Sequence, residues 1–363
     1  MNELLLKIQN FSKTITTLVV SIFALVSSGF VFKALIYPQS VVIEQIYVPS
    51  ALEERGLKSE IVIQRILDDI QKFRQVAKID RAESAIFGAM ASKPDADIDA
   101  SFGGVSLKSI EQVLASVFDR KPKKISGEIT IGSESDRGSL HSRIRIENRV
   151  ISDISTTKDT GSVQSIVNRM AFDIYKNFEP FRAALAAARL GRADEARDAL
   201  RPLVVSTDAT DRKYALWLRS TLSAPRPREL DLLEAVSIDP KFTLGLIGLA
   251  VLERDRKNFE ASRDYAERAI ESNPTSPMGY HEKGRTLRDE GRLDDAISEF
   301  KKACAQKIEY APCFNQIGEI ALMRADRAAN NVEVFRGAYS DFSKAIRIDP
   351  GHAWAHSNAA YAA

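Results

Sequence analysis

Four histidines, two cysteines and a few adjacent carboxylates are the residues whose types and spacing could do chemistry here. His352 and His356 are four apart, which on a helix puts two imidazoles on one face. A zinc-protease helix needs a glutamate beside the first histidine and a third ligand elsewhere. The run is His352-Ala353-Trp354-Ala355-His356 with no third ligand in view, so ordinary packing is the expectation. Asp95, Asp97 and Asp99 have the first spacings of a calcium loop, but Ala100 stands where the turn needs glycine and Ser106 where it needs the closing glutamate. Gly103-Gly104, Gly127 and Gly132 form neither a P-loop nor a dinucleotide fingerprint. No GxSxG, no SxxK and no cysteine nucleophile with a nearby histidine occurs. Asp68-Asp69 and Asp294-Asp295 sit beside basic residues on expected helices, where surface charge is the simplest reading. No catalytic, metal-binding or cofactor-binding residue is therefore assigned, and no cofactor is expected. The one place left open for an enzyme or ligand sensor is the segment 40–176, through a hairpin face carrying His141, Arg143 and Arg145.

The elements that would position these residues follow a period of 34. Ala235, Ala269 and Ala303 are 34 apart, as are Pro240 and Pro274, Leu246, Tyr280 and Phe314, and Ala250, Gly284 and Gly318. A period of this size means one helix–turn–helix unit per repeat, stacked because no unit buries its apolar face alone. The best copy runs Tyr280, Gly284, Leu287, Gly291, Ala296, Phe300, Ala303 and resembles the tetratricopeptide repeat (TPR) consensus. The resemblance implies an α-solenoid over 178–363 that binds proteins. Strong copies cover 243–274 and 277–308; a third runs from Pro312 to Pro350, stretched by eight residues around Met323 to Glu333, through longer helices or an enlarged turn. Phe181 to Val204 carries the same small-residue pattern. Lys213 to Asp239 is a degenerate copy with Ser223-Ala224-Pro225-Arg226-Pro227 as its expected turn. That makes about four and a half repeats, enough for a stable stack. A new first helix starts after Pro350 and ends in Ala359-Ala360-Tyr361-Ala362-Ala363; it serves either as a cap or, as favoured here, as the start of a unit that continues past Ala363.

In TPR arrays the first helix of each unit lines the concave face. The resemblance thus places Arg254, His281, Arg285, Arg288, Asn315 and Glu319 in a partner-binding groove suited to an extended or helical peptide of some acidic character. The lysine/asparagine clamp of some TPRs is not matched, because His281, Arg285, Asn315 and Glu319 stand where it needs Lys and Asn. Cys304 ends one unit and Cys313 begins the next. A disulfide between them is geometrically open if their Cα atoms lie about 4.4–6.8 Å apart, the alternative being two small buried apolar residues. Such a bridge would pin two repeats in register.

Ahead of the array, 40–176 reads as a separate α+β domain of order β–α–(β)–α–β–β–α. The run from Val41 to Val48 ended by Pro49 is a strand, and Ile63, Ile66, Leu67, Ile70 and Phe73 recur at helical spacing. A second helix is expected at Ile110 to Phe118, a hairpin over Ile125 to Ile131 and Leu140 to Ile146, and a third helix from Val163 to Phe178. Residues 14–36 form the expected transmembrane signal anchor: no charge falls between Lys13 and Lys33, and Lys7 and Lys13 precede the apolar run, which leaves 1–13 cytoplasmic. A signal peptide cleaved near Ser27-Ser28-Gly29 is the rival reading. Net charge is +2 over 363 residues, and the only basic cluster, Arg120-Lys121-Pro122-Lys123-Lys124, lacks interleaved aromatics and reads as a solvated turn between a helix and a strand, so nucleic acid is not an expected partner. The fold class is mostly α: an N-terminal transmembrane helix, a small α+β domain, then the solenoid. The expected function is a single-pass protein of the bacterial inner membrane, largely periplasmic, acting as an adaptor or assembly factor through a protein or peptide in the groove and open to self-association. The alternative is an accessory or sensor region of a larger enzyme or signalling protein.

Overall fold

The computed structural model describes residues 41–79, 96, 98–100, 122–132, 139–156, 163–306, 309–325 and 332–363. The stretch 1–13, the anchor 14–36, the helix expected at Ile110 to Phe118, Gly103-Gly104, and Asp95 and Asp97 lie outside the described residues. Among the described residues no helix is long and apolar enough to cross a membrane. These residues divide into two compact units, one drawn from positions up to Lys72 and from Pro94 to Glu179, the other from Phe73 to Lys93 and from Pro180 onward.

The first unit holds a mixed sheet. Strands β1 (Val41–Tyr47), β2 (Ile98–Ala100), β3 (Lys123–Ile131), β4 (Leu140–Ile146) and β5 (Arg149–Ser155) lie in the order β2-β1-β3-β4-β5. Strand β1 runs parallel to both neighbours, while β3, β4 and β5 form an antiparallel meander. Alternation selects the buried face: Ile125, Ile129, Leu140, Ile144 and Ile146 are all buried. Helices α1 (Ser50–Glu53) and α2 (Ser59–Val76) follow β1, and α3 (Val163–Phe178) lies against β4 and β5. Three expectations are corrected here. The hairpin is a three-stranded meander, because the chain reverses at Glu147, in left-handed conformation, and adds β5. Lys123 and Lys124 are not turn residues but open β3, where Lys124 pairs with Glu44 at 2.7 Å. Asp69 is not surface charge: it is buried and accepts hydrogen bonds from Lys72, Gln164 and Asn168, fastening α2 to α3. A buried carboxylate is tolerable only when several donors replace its water.

The second unit is an array of helix pairs: α4 (Pro180–Arg189) with α5 (Ala193–Val204), α6 (Ala209–Thr221) with α7 (Pro225–Ile238), α8 (Thr243–Asp255) with α9 (Phe259–Ser272), α10 (Pro277–Asp289) with α11 (Leu293–Cys304), and α12 (Ala311–Ala325) with α13 (Val332–Ile348), followed by α14 (Ala353–Ala362). The stretched copy takes up its extra residues partly as longer helices, α12 with 15 residues and α13 with 17. The proline-rich turn is corrected. Pro225 and Pro227 lie in the first turn of α7, where a missing N–H leaves no bond unmade.

Helices of a pair approach each other through a small residue that receives a large one. An added Cβ at Gly284 would lie 2.7 Å from Phe300, and at Gly318 it would lie 2.6 Å from Phe342; both phenylalanines are fully buried. Close approach at these sockets leads the first helices (α4, α6, α8, α10, α12, α14) to touch in succession, whereas the second helices make no comparable contact among the described residues. The first helices thus form the inner layer. Gly337 in α13 is the contrasting case, exposed with nothing near a Cβ. Gly284→Val should lower stability by about 1–3 kcal/mol through overpacking, and Gly337→Ala should raise it by about 0.5–1 kcal/mol through helix propensity. Urea unfolding followed by circular dichroism checks both signs.

Candidate functional site

The inner layer carries a ladder of charged and amide side chains that crosses four first helices. On α8, Arg254 reaches over to α10, with Nε donating to Glu282 Oε1 at 2.7 Å and Nη1 to Asp289 Oδ2 at 2.8 Å. The Arg254 and Glu282 side chains are 8% and 3% exposed, so this is a buried pair. Burial opposes the Arg254 charge, yet Glu282 and then Asp289 hold its pKa above the ordinary value. Burial likewise opposes ionisation of Asp289, but hydrogen bonds from Arg254 and Arg288 keep its carboxyl below the usual range. Arg288 continues the ladder to α12, donating to Gln316 and, at 3.1 Å, to Glu319 Oε2. Glu319 Oε1 accepts from Asn315 at 2.7 Å and from Asn358 of α14 at 3.1 Å.

The six groove residues therefore have unequal standing. Arg254 and Asn315 are buried and fully engaged within the array. Arg288 and Glu319 are half-buried and linked to each other. Arg285 is the most available cation of the six: its side chain is 31% exposed, and its hydrogen-bond partner is Glu282 Oε2 at 3.3 Å. Glu282, Asp289, Gln316 and Asn358 belong to the ladder but escape the sequence reading. The signal lies in the period, since Glu282 and Gln316 are 34 apart, as Arg254 and Arg288 are.

His281 sits between two rings, Phe300 at 5.5 Å and Tyr310 at 5.3 Å, the latter nearly perpendicular. Its Nε2 is buried without a hydrogen-bond partner. Burial, followed by the charges of Arg285, Arg288, Arg254 and His352, pushes the imidazole pKa down to about 3. Close by, Cys304 at the end of α11 and Cys313 in the first turn of α12 are joined in a disulfide with Cα atoms 5.6 Å apart.

The remaining candidates are occupied structurally. His352 Nδ1 accepts from Ala355 N and caps α14, while His356 Nε2 lies 2.9 Å from the Pro350 carbonyl. Among the described residues no group of three His, Cys, Asp or Glu side chains is placed to hold a metal. On the meander, His141 Nδ1 lies 2.6 Å from Ser155 Oγ, Arg143 pairs with Asp153, and Arg145 pairs with Glu128. Those are cross-strand pairs on an open sheet face. Asp294 and Asp295 do pair at the surface, with Arg324 and Arg292.

A family model described as tetratricopeptide repeat matches residues 279–306, which span α10, α11 and the turn between them. The TPR resemblance is thus shown, and that stretch is a tetratricopeptide repeat. No curated protein matches the chain. Among solved structures, a thermophilic TPR protein of Thermus thermophilus is 18% identical, with 50% of this chain and 96% of that one covered at a TM-score of 0.43. A tetratricopeptide repeat protein from Parabacteroides merdae is 16% identical, with 54% and 76% covered at 0.45. YrrB, a TPR protein with an unusual peptide-binding site, is 18% identical, with 49% and 89% covered at 0.33.

Two outcomes follow from this geometry. Arg254→Met should cost about 3–5 kcal/mol by leaving Glu282 buried without its main partner, and Arg254→Met with Glu282→Met should recover most of it; a double-mutant cycle in urea measures the difference. His281 has a folded pKa below its unfolded value, so its contribution to stability is complete above about pH 6.5 and is lost as pH falls. Between pH 7 and pH 5 that loss should be roughly 2 kcal/mol, and it should vanish in His281→Phe, read from unfolding midpoints at each pH.

Proposed function

We propose that this chain is a membrane-anchored, extracytoplasmic adaptor whose helical array binds a segment of a partner protein along the inner layer. The observation that supports it best is the ladder itself. Charged and amide side chains on α8, α10, α12 and α14 are already fixed by one another, so a peptide laid across them meets an ordered polar surface and little side-chain entropy is lost on binding. Arg285 is the cation left half-exposed in that surface, which favours a segment carrying Asp or Glu. The array would bring this partner to the membrane, where the anchor at 14–36 raises its effective concentration without new contacts. In this reading the first unit takes a second partner or another copy of itself, and the chain does no chemistry of its own. The bacterial inner membrane with a periplasmic array is the location that the anchor and the flanking lysines support.

Photocrosslinking of the full chain in intact cells tests the proposal. A photoreactive residue replaces Arg285, and a second version carries it at Val205, exposed at the end of α5, as a control. One dominant protein adduct from position 285, absent from 205 and lost on adding Arg288→Glu, is the expected result. Equal adducts from both positions, or none at 285, would remove the groove from consideration.

A further inference from the structure

Arg254 and Arg288 stand 34 residues apart and make the same move one unit apart, each reaching from its own first helix to a carboxylate on the next. Helices α8 and α10 therefore turn equivalent faces to the inner layer, and the residues one turn earlier are equivalent too. On α10 that residue is Arg285. Its counterparts, 34 residues before and after, are Val251 on α8 and Glu319 on α12. One row of the inner layer thus reads apolar, cationic and anionic across three neighbouring helices.

The three members offer a ligand different things. Val251 is half-buried, packed against the cluster of Leu246, Ile247 and Ala269, and its side chain has no polar atom. Arg285 donates to Glu282 Oε2 at 3.3 Å, while the other oxygen of Glu282 takes Arg254 at the shorter distance of 2.7 Å. A second carboxylate can therefore join Arg285 without breaking a strong pair. Glu319 has both oxygens engaged, Oε2 by Arg288 and Oε1 by Asn315 and Asn358. A ligand carboxylate at that position would meet like charge, with the nearby donors already in use.

We propose that the groove recognises an extended segment of a partner protein carrying one acidic residue, with an apolar residue three positions away on one side and no acidic residue three positions away on the other. The first helices of consecutive units touch, which sets their axes about 8–10 Å apart. In the polyproline II conformation a chain advances about 3.1 Å per residue with three residues per turn, so side chains three apart share a face and lie about 9 Å from each other. A segment laid across the layer therefore brings every third side chain to a successive helix. With its Asp or Glu on Arg285, the side chain over α8 meets Val251 and the one over α12 meets Glu319. A run of carboxylates does not suit this row, because only its middle position holds an available cation. The ligand is a short mixed segment rather than an acidic tail. This pattern rests on the groove reading above.

The test is a peptide-display selection on the full chain, run side by side on the unaltered protein, Val251→Ala, Val251→Arg and Arg285→Glu, each checked for unchanged helical circular dichroism. The unaltered protein should select peptides with one Asp or Glu and with Leu, Ile, Val or Phe three residues from it. Changing that apolar residue to Ser in a synthesised peptide should weaken its binding to the unaltered chain about tenfold or more. Val251→Ala should relax the apolar preference and keep the acidic one, and Val251→Arg should replace the apolar residue by a second acid at the same spacing. If Val251→Arg loses its helical signal, Val251→Ala and the synthesised peptides decide. Peptides that depend on Arg285 but carry acidic runs, or lack the apolar residue at that spacing, overturn the pattern and leave the groove standing. So does an apolar residue whose change to Ser leaves binding unaltered. Selections without acidic enrichment, or indifferent to Arg285→Glu, remove the groove and the pattern together.

Discussion

The seating of one helix's ring on another's missing side chain is the constraint on which the array depends. Phe300 against Gly284 and Phe342 against Gly318 leave no room for a single added carbon. Dispersion between such surfaces falls off within an ångström, so the socket fixes the distance and tilt of each pair sharply. Once the pairs are fixed, their first helices are near enough to reach one another, and long polar side chains can span from unit to unit. The polar inner layer is a consequence of the apolar sockets behind it.

Electrostatics then works under that geometry rather than creating it. A buried arginine is costly to place, and the array offsets the cost at Arg254 with two carboxylates from the next unit. The same logic holds in the first unit, where buried Asp69 is met by Lys72, Gln164 and Asn168. In both places the charges fix which elements sit together, since a shifted register would strand a charge without partners. What differs is exposure. Asp69 itself is buried, whereas the ladder opens onto solvent at Arg285, Asp289 and Glu319, where it can meet another molecule.

The array is legible in the sequence because its causes repeat. The small residues recur every 34 residues, so Gly284 and Gly318, and Ala269 and Ala303, reveal spacing and packing together. The ladder is half legible: Arg254 and Arg288 stand out as first-helix residues, but their burial does not, because exposure depends on the neighbouring unit. Asp69 misleads for the same reason, its partners being 95 and 99 residues away. Strand β5 escapes because Arg149-Val150-Ile151-Ser152-Asp153-Ile154 alternates poorly, and its pairing with β4 shifts register at Ile144 and Arg145. Pro225 and Pro227 mislead because proline breaks a helix interior yet fits a first turn, and local sequence alone does not place the helix start.

In the proposed function the inner layer is an ordered polar groove, and Arg285 is the most available cation of the six groove residues. A peptide-display selection on the full chain, run in parallel on Arg285→Glu, measures it most directly. Peptides selected on the unaltered chain should be enriched in Asp or Glu, and that preference should be lost or inverted in charge on the variant. Peptides without acidic enrichment, or the same peptides from both proteins, would contradict it.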